Sequence, residues 1–348
     1  MVENEDKAEI MILELMREYS FNLSRLKDLL RQNHLEVSLS KVQYADIAPI
    51  VGLEAVVKGD DILAFDMFRA RLPNSVFNQI VEDLRRFSAQ YGPMSKHENE
   101  EARACYLSGY FNRIIALFSG LLFNTPETIL EGGATTKDRI EYQFKTFGGI
   151  TVVFIQAKLD IGSLQERITC LAQVIAECGA CAWMNYQNGF HVPIMAIWCD
   201  GKQFCFFKFI DRHLEHVNPQ FFWGKFANGD RKLSIDEIEL RPGTDSRTFV
   251  RQTRQICESL YYVFLFEYQS GLEAYWKRGV EKRKAHGIER EPTPEWPMAT
   301  VHAKAALDEA LSAWNQINRG NLTESKISAE RAVQLLAERY IESCHSSL

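Results

Sequence analysis

No stretch of this 348-residue sequence approaches the ~18–20 consecutive apolar residues that carry a helix across a bilayer. The richest run, residues 114–123, is interrupted by Ser119 and Gly120. A basic excess is also missing. Lysine and arginine number 40 against 46 acids, a formal charge of -6, which excludes a polycation that coats nucleic acid or anionic lipid indiscriminately. With 10 prolines and 20 glycines, a collagenous or low-complexity chain is excluded as well. The first residues, MVENEDKAEI, are acidic where a secretory signal is basic and then apolar. No second C-X-X-C pair completes a zinc site with Cys178 and Cys181, and the stretch from Gly132 to Lys137 lacks the G-K-[ST] ending of a phosphate loop. Internal repeats are absent. The expectation is a nuclear or cytoplasmic protein, not a secreted one.

What is present is an ordinary globular composition, 46% hydrophobic and 25% charged, long enough for two or three domains at roughly 150 residues each. The eight cysteines are scattered through apolar segments, which reads as buried thiols rather than a disulfide framework.

Leucine and isoleucine recur at three and four from Ile10 to Leu30, and a helical leader is expected to about residue 90. A helix over 98–123 is expected next, its stripe carried by Tyr106, Tyr110, Ile114, Leu117 and Leu121. The period then changes. Ile140, Tyr142 and Phe144 alternate with Arg139, Glu141, Gln143 and Lys145, Gly148 and Gly149 supply a turn, and residues 150–155 form a nearly continuous apolar run. Ser163 with Glu166 is a capping box for a helix whose buried stripe is Leu164, Ile168, Leu171, Ile175 and Cys178. Gly179 suits the end of that helix, which places the Cys178–Cys181 pair at a helix C-terminus, where the dipole raises a thiol pKa. Asp200-Gly201 predicts a two-residue hairpin between VPIMAIWC and KQFCFFKFI. A long helix is expected over 247–283, ending in a basic stretch from Lys277 to Arg290, six basic residues against Glu281 and Glu289. Pro292, Pro294 and Pro297 read as a stiff linker, and two helices separated at Gly320 and Asn321 close the chain. His213 and His216 read as a surface pair.

Chemistry concentrates at the end of TVVFIQAKL. Gln156 and Lys158 are two apart on a strand and so share a face. A lysine ending a buried apolar strand is costly unless its ammonium meets an anion or solvent. Asp138 and Glu141, on the preceding strand, are carboxylates within reach of it. An acid, an amide oxygen and a lysine together can hold a hard divalent cation and stabilise a phosphate transition state.

In the order of these parts the middle of the chain resembles the PD-(D/E)XK nuclease superfamily, and is similar in particular to stand-alone fungal members. The parts are a leading helix, KDRIEYQF, VVFIQAK, LAQVIAE, and the hairpin PIMAIWCDGKQFCFF. The resemblance implies an α/β fold: a restriction-endonuclease-like core, a mixed sheet flanked by helices, with helical N- and C-terminal extensions. The corresponding division is 1–95 helical, 96–212 nuclease-like core, 213–290 helical extension with the basic stretch, and 291–348 a helical hairpin. It also implies a nuclease hydrolysing nucleic acid, DNA in the first instance, with Mg2+ or Mn2+. Carried over, Lys158 matches the lysine of the triplet, Gln156 takes its acidic position, and Glu141 or Asp138 takes the hairpin-strand acid. Gln173 and Glu101 are weaker matches to a helix glutamine and a supporting acid. The Ala157 carbonyl is a further candidate ligand.

Two departures bear on activity. Glutamine at 156 removes one negative charge from the metal site, and a glutamate at 141 sets its carboxylate one methylene further out than aspartate. A catalytically weakened nuclease-fold protein, binding nucleic acid or another protein, is therefore the alternative reading. The amphipathic stripes of the terminal helices are compatible with a homo-oligomer surface. Glu141 also reads simply as an exposed strand residue, and Gln173 as a helix residue bonded to a neighbour.

Overall fold

A computed structural model describes residues 42–56, 62–92, 97, 100–118, 120–125, 142–146, 149–158, 163–212, 217–235, 247–285 and 295–345. In these the chain builds a mixed eight-stranded sheet covered on both faces by helices. The described elements begin with the short helix α1 (Tyr44–Ile47), a 3-10 turn (Ala48–Val51) and β1 (Leu63–Asp66). Next come α2 (Asn74–Tyr91), α3 (Glu100–Ala116), β2 (Leu122–Asn124), β3 (Tyr142–Thr146) and β4 (Ile150–Ala157). Helix α4 (Leu164–Gln187) leads to β5 (Ile194–Cys199), β6 (Gln203–Ile210), β7 (Gln220–Lys225) and β8 (Lys232–Ser234). The long α5 (Arg247–Ala285), α6 (Glu295–Asn318) and α7 (Leu322–His345) follow.

Strand order is β1-β7-β6-β5-β4-β3-β2, with β8 also pairing β6. β4 and β5 are parallel, as are β1 and β7, and the other pairs are antiparallel. The parallel β4–β5 pair needs a crossover, which α4 supplies. Period-two alternation then sorts side chains between two cores. Phe154, Ile194, Ala196, Trp198, Phe207 and Phe209 pack under α1 and α4, whereas Met195, Ile197, Cys199, Phe204 and Phe206 pack under α2, α3, α5 and α6. β4 is buried throughout its length, which explains its nearly continuous apolar run. Gly271 lets α5 approach the sheet closely: a Cβ there would sit 2.7 Å from Thr146 Oγ1.

Several sequence expectations are corrected. The leader is not wholly helical, since β1 lies within it. Helix α3 ends at Ala116, and Leu122 begins a strand instead of continuing the helix. Residues 213–290 open on strands β7 and β8 before α5; QFFWGK is aromatic-rich and lies against β6 and β1. The helix opened by Ser163 does not stop at Gly179 but runs to Gln187, because small residues there pack closely on the sheet. Pro297 lies inside the first turn of α6, where a missing N–H costs no helical bond. The β5–β6 loop is shifted by one residue: Asp200 pairs with Gln203, leaving Gly201, at φ 86, and Lys202 as the turn. The capping box is present, with Ser163 Oγ accepting from Glu166 N at 3.1 Å and Glu166 Oε2 accepting from Ser163 N at 2.9 Å. The turn between the last helices falls at Gly320, as the sequence indicates.

Candidate functional site

Gln156 and Lys158 leave the carboxyl end of β4 on the α4 side of the sheet, and there they meet a residue that sequence reasoning missed, Glu177. The Gln156 amide is oriented by its surroundings. With its nitrogen toward Glu177 it donates to Oε1 at 3.1 Å and Oε2 at 3.0 Å, and its oxygen accepts from Lys158 Nζ at 2.9 Å. The opposite orientation would set oxygen against carboxylate and amide nitrogen against ammonium. Gln173, one helical turn before Glu177, donates its Nε2 to Glu177 Oε1 at 2.9 Å. Lysine, amide, carboxylate and amide thus form a continuous chain from β4 into α4.

Burial grades along this chain. Glu177 is 0% exposed and Gln156 1%, while Lys158 and Gln173 at the two ends are only half-buried. A fully buried carboxylate is tolerated only where charge-assisted donors replace water, and here two amides do so.

Arg103 on α3 fixes the backbone beneath the lysine. Its Nη1 donates to the carbonyl of Lys158 at 3.2 Å and to that of Asp200 at 3.1 Å. Lys158 N donates to Cys199 O at 2.9 Å, and Ala157 is paired with Cys199 in the ladder, so β4 stays locked to β5 up to the site. Asp200 closes the adjacent hairpin by accepting from Lys202 N at 2.8 Å and Gln203 N at 2.7 Å.

Of the sequence-derived candidates, Lys158, Gln156 and Gln173 are therefore brought together. Asp138 and Glu141 lie outside the described residues, and so does the side chain of Glu101, although its backbone is in the first turn of α3. His213, His216 and the stretch from Gly132 to Lys137 also lie outside them. Gln143, one of the polar residues in the alternating strand, is buried, donating to Thr151 Oγ1 at 3.0 Å and to Cys181 Sγ at 3.7 Å.

The Cys178–Cys181 pair lies in mid-helix. Burial pushes the Cys178 thiol well above its usual range and that of Cys181 up to about 12, with Cys181 and Glu177 adding to the respective shifts. Both thiols stay protonated, which is unsuited to thiolate chemistry. Part of the basic stretch is structural too, since Arg278 lies over the Phe190 ring at 4.3 Å.

For a divalent cation, Glu177 and the Gln156 oxygen are hard donors of the kind magnesium and manganese take. As the amide is oriented, however, its oxygen is turned to Lys158 and its nitrogen to Glu177, so the two donors do not face a common point. Among the described residues no group of three histidine, cysteine or acidic side chains forms a metal cluster.

No family model matches the sequence, and no curated protein matches it. Among solved structures, one described as a cryo-electron-microscopy structure of the DrdV–DNA complex is similar over 76% of this chain and 24% of that chain, at 11% identity and a TM-score of 0.26. The chain thus spans about a quarter of that protein's length. No described helix is long and apolar enough to cross a membrane.

Proposed function

We propose that this chain binds nucleic acid, DNA in the first instance, at the carboxyl ends of β4 and β5 and hydrolyses its phosphodiester bonds at a centre of the PD-(D/E)XK kind. The observation that carries the reading is the Gln156 amide lying between the Lys158 ammonium at 2.9 Å and the Glu177 carboxylate at 3.0 Å. It lies where the parallel pair β4–β5 ends, the usual location of ligands in open α/β sheets.

In this reading Lys158, at the half-buried end of the chain of residues, faces the scissile phosphate, its ammonium offsetting charge that develops on the phosphoryl oxygens. Gln156 holds that ammonium in position through its oxygen. Arg103 acts as a positioning residue through the Lys158 carbonyl. Glu177 would hold Mg2+ or Mn2+ together with an acid at 138 or 141, while the Gln156 oxygen stays on the Lys158 ammonium. When bound, such an ion lowers the pKa of water and stabilises transferred negative charge.

A specific observation favours a second reading, a binding module without turnover. The Glu177 carboxylate is fully buried and already accepts from two amides. The deciding experiment is a cleavage assay on single- and double-stranded DNA and RNA with Mg2+ or Mn2+, comparing wild type with Lys158→Ala. Metal-dependent cleavage lost in the variant supports hydrolysis. Binding without cleavage, and no metal-dependent stabilisation, supports the module. Cleavage undiminished in the variant removes Lys158 from the mechanism.

A further inference from the structure

Away from that chain of residues, three arginines converge on one carboxylate. Arg69 and Arg71 follow β1, in a segment whose backbone bonds to α5 and α6 through Ala70 N to Glu258 O at 3.1 Å and Arg71 N to Ala310 O at 3.0 Å. Arg254 lies one turn before Glu258 on α5. Glu258 Oε2 accepts from Arg69 Nη2 at 2.7 Å, and Oε1 accepts from Arg71 Nη1 at 2.8 Å and Arg254 Nη1 at 3.5 Å. The carboxylate is 0% exposed, the three arginine side chains 14–17%. Arg69 stacks on Trp314 and Arg254 on Phe77, each 3.9 Å from the ring centroid. The guanidinium groups are therefore held in place on side chains that stay partly exposed.

Charge is not balanced there. One carboxylate neutralises one of three cations, and among the described residues these arginines make no ion pair with another acid. Burial draws Arg69 and Arg254 below the usual guanidinium range, against the pull of Glu258. Arg69 Nε is buried without a hydrogen-bond partner.

Helix α2 adds to the same potential. Its first residue, Asn74, accepts from Arg71 Nη2 at 3.4 Å and Arg254 Nη2 at 3.0 Å. Its first turn has no acid and no side-chain cap, so its leading N–H groups present positive charge toward the arginines. Planar, fixed guanidinium groups beside a helix amino end match a tetrahedral oxyanion in both charge and donor geometry.

We propose that Arg69, Arg71 and Arg254, gathered on Glu258 at the amino end of α2, form a binding site for a phosphate-class oxyanion, either inorganic phosphate or the phosphodiester of a nucleic-acid strand. The site does not depend on hydrolysis at Lys158.

The full-length protein is titrated with inorganic phosphate at constant ionic strength while thermal unfolding is followed, and with a short fluorescent DNA duplex across a salt series. Phosphate is expected to raise the melting temperature of the wild type by mass action. Arg71→Gln and Arg254→Gln lose that response. Glu258→Gln, where circular dichroism shows it folded, strengthens it because the competing carboxylate is gone. If the strand is the ligand, each arginine variant binds the duplex about tenfold more weakly and its salt slope falls by about 1. Unchanged duplex binding with a lost phosphate response assigns the site to free phosphate. Absence of a phosphate response in wild type, or its persistence in a folded Arg71→Gln, overturns the proposal and leaves the cluster a structural ion-pair network. Loss of cleavage in Lys158→Ala bears on the hydrolytic reading alone.

Discussion

Asn185 clamps Thr151 at both backbone groups, accepting from Thr151 N at 2.9 Å and donating to Thr151 O at 2.6 Å. The side-chain amide thereby stands in for a neighbouring strand before the β4–β5 ladder begins at Val153. It also sets the phase of α4 against β4. From Thr151 to Gln156 a strand advances ~16 Å, and from Asn185 back to Glu177 a helix retraces ~12 Å. The clamp at one end thus brings the carboxylate opposite the amide at the other. Asn185→Ala is expected to destabilise the fold by about 2–4 kcal/mol, since it leaves a buried N–H and C=O unpaired, read from urea unfolding. Unchanged stability would refute the clamp.

Lys158→Ala is expected to lower cleavage at least about 100-fold, with a shift in the unfolding midpoint below about 1 kcal/mol because the side chain is only half-buried. Glu177→Gln, nearly isosteric, should abolish stabilisation by Mg2+ in thermal unfolding while the protein remains folded. Stabilisation by Mg2+ that survives in this variant would place the ion elsewhere.

Glu267 on α5 is fully buried, and neither carboxylate oxygen has a hydrogen-bond partner. Burial raises its pKa to about 8, with Lys208 opposing the shift. The folded chain therefore keeps it protonated where the unfolded chain ionises it, near ~4.3. Its stabilising contribution is complete below that value and is lost progressively as pH rises to about 8. Glu267→Gln should flatten stability across this window and make the protein more stable than wild type at pH 8, by an amount on the order of several kcal/mol. Parallel pH profiles of the two proteins would contradict this.

Cys178 and Cys181, buried and held protonated, should react with a thiol reagent near neutral pH far more slowly than in denaturant, with their rates following global unfolding. Peptide mapping of labelled protein checks this. Fast labelling of either residue in the native state would show that α4 opens locally.

Gln156 and Lys158 were legible in the sequence because a polar pair of the same strand parity closed an apolar run. Gln173 was legible only through a family resemblance. Glu177 was not read, although a signal existed: an acid within the apolar series Val174, Ile175, Ala176, Cys178 is as costly to bury as a lysine ending a strand. Two such costs in adjoining elements can offset each other. The strands β1 and β7 were missed for a different reason. LAFD and QFFWGK are short and apolar, and periodicity alone does not separate a short strand from a helix turn. Gly179 misled because glycine is disfavoured in exposed helices, yet tight packing against a sheet can repay that propensity.

Arg103 grips the carbonyls of Lys158 and Asp200 with a single nitrogen, so the exit of one strand and the bend between two others are tied to a helix that precedes both. Disturbing that helix would loosen the base from which the lysine projects without touching any residue that faces a phosphate. In the proposed hydrolytic reading, turnover would then be lost from the opposite flank of the sheet to the one carrying Glu177.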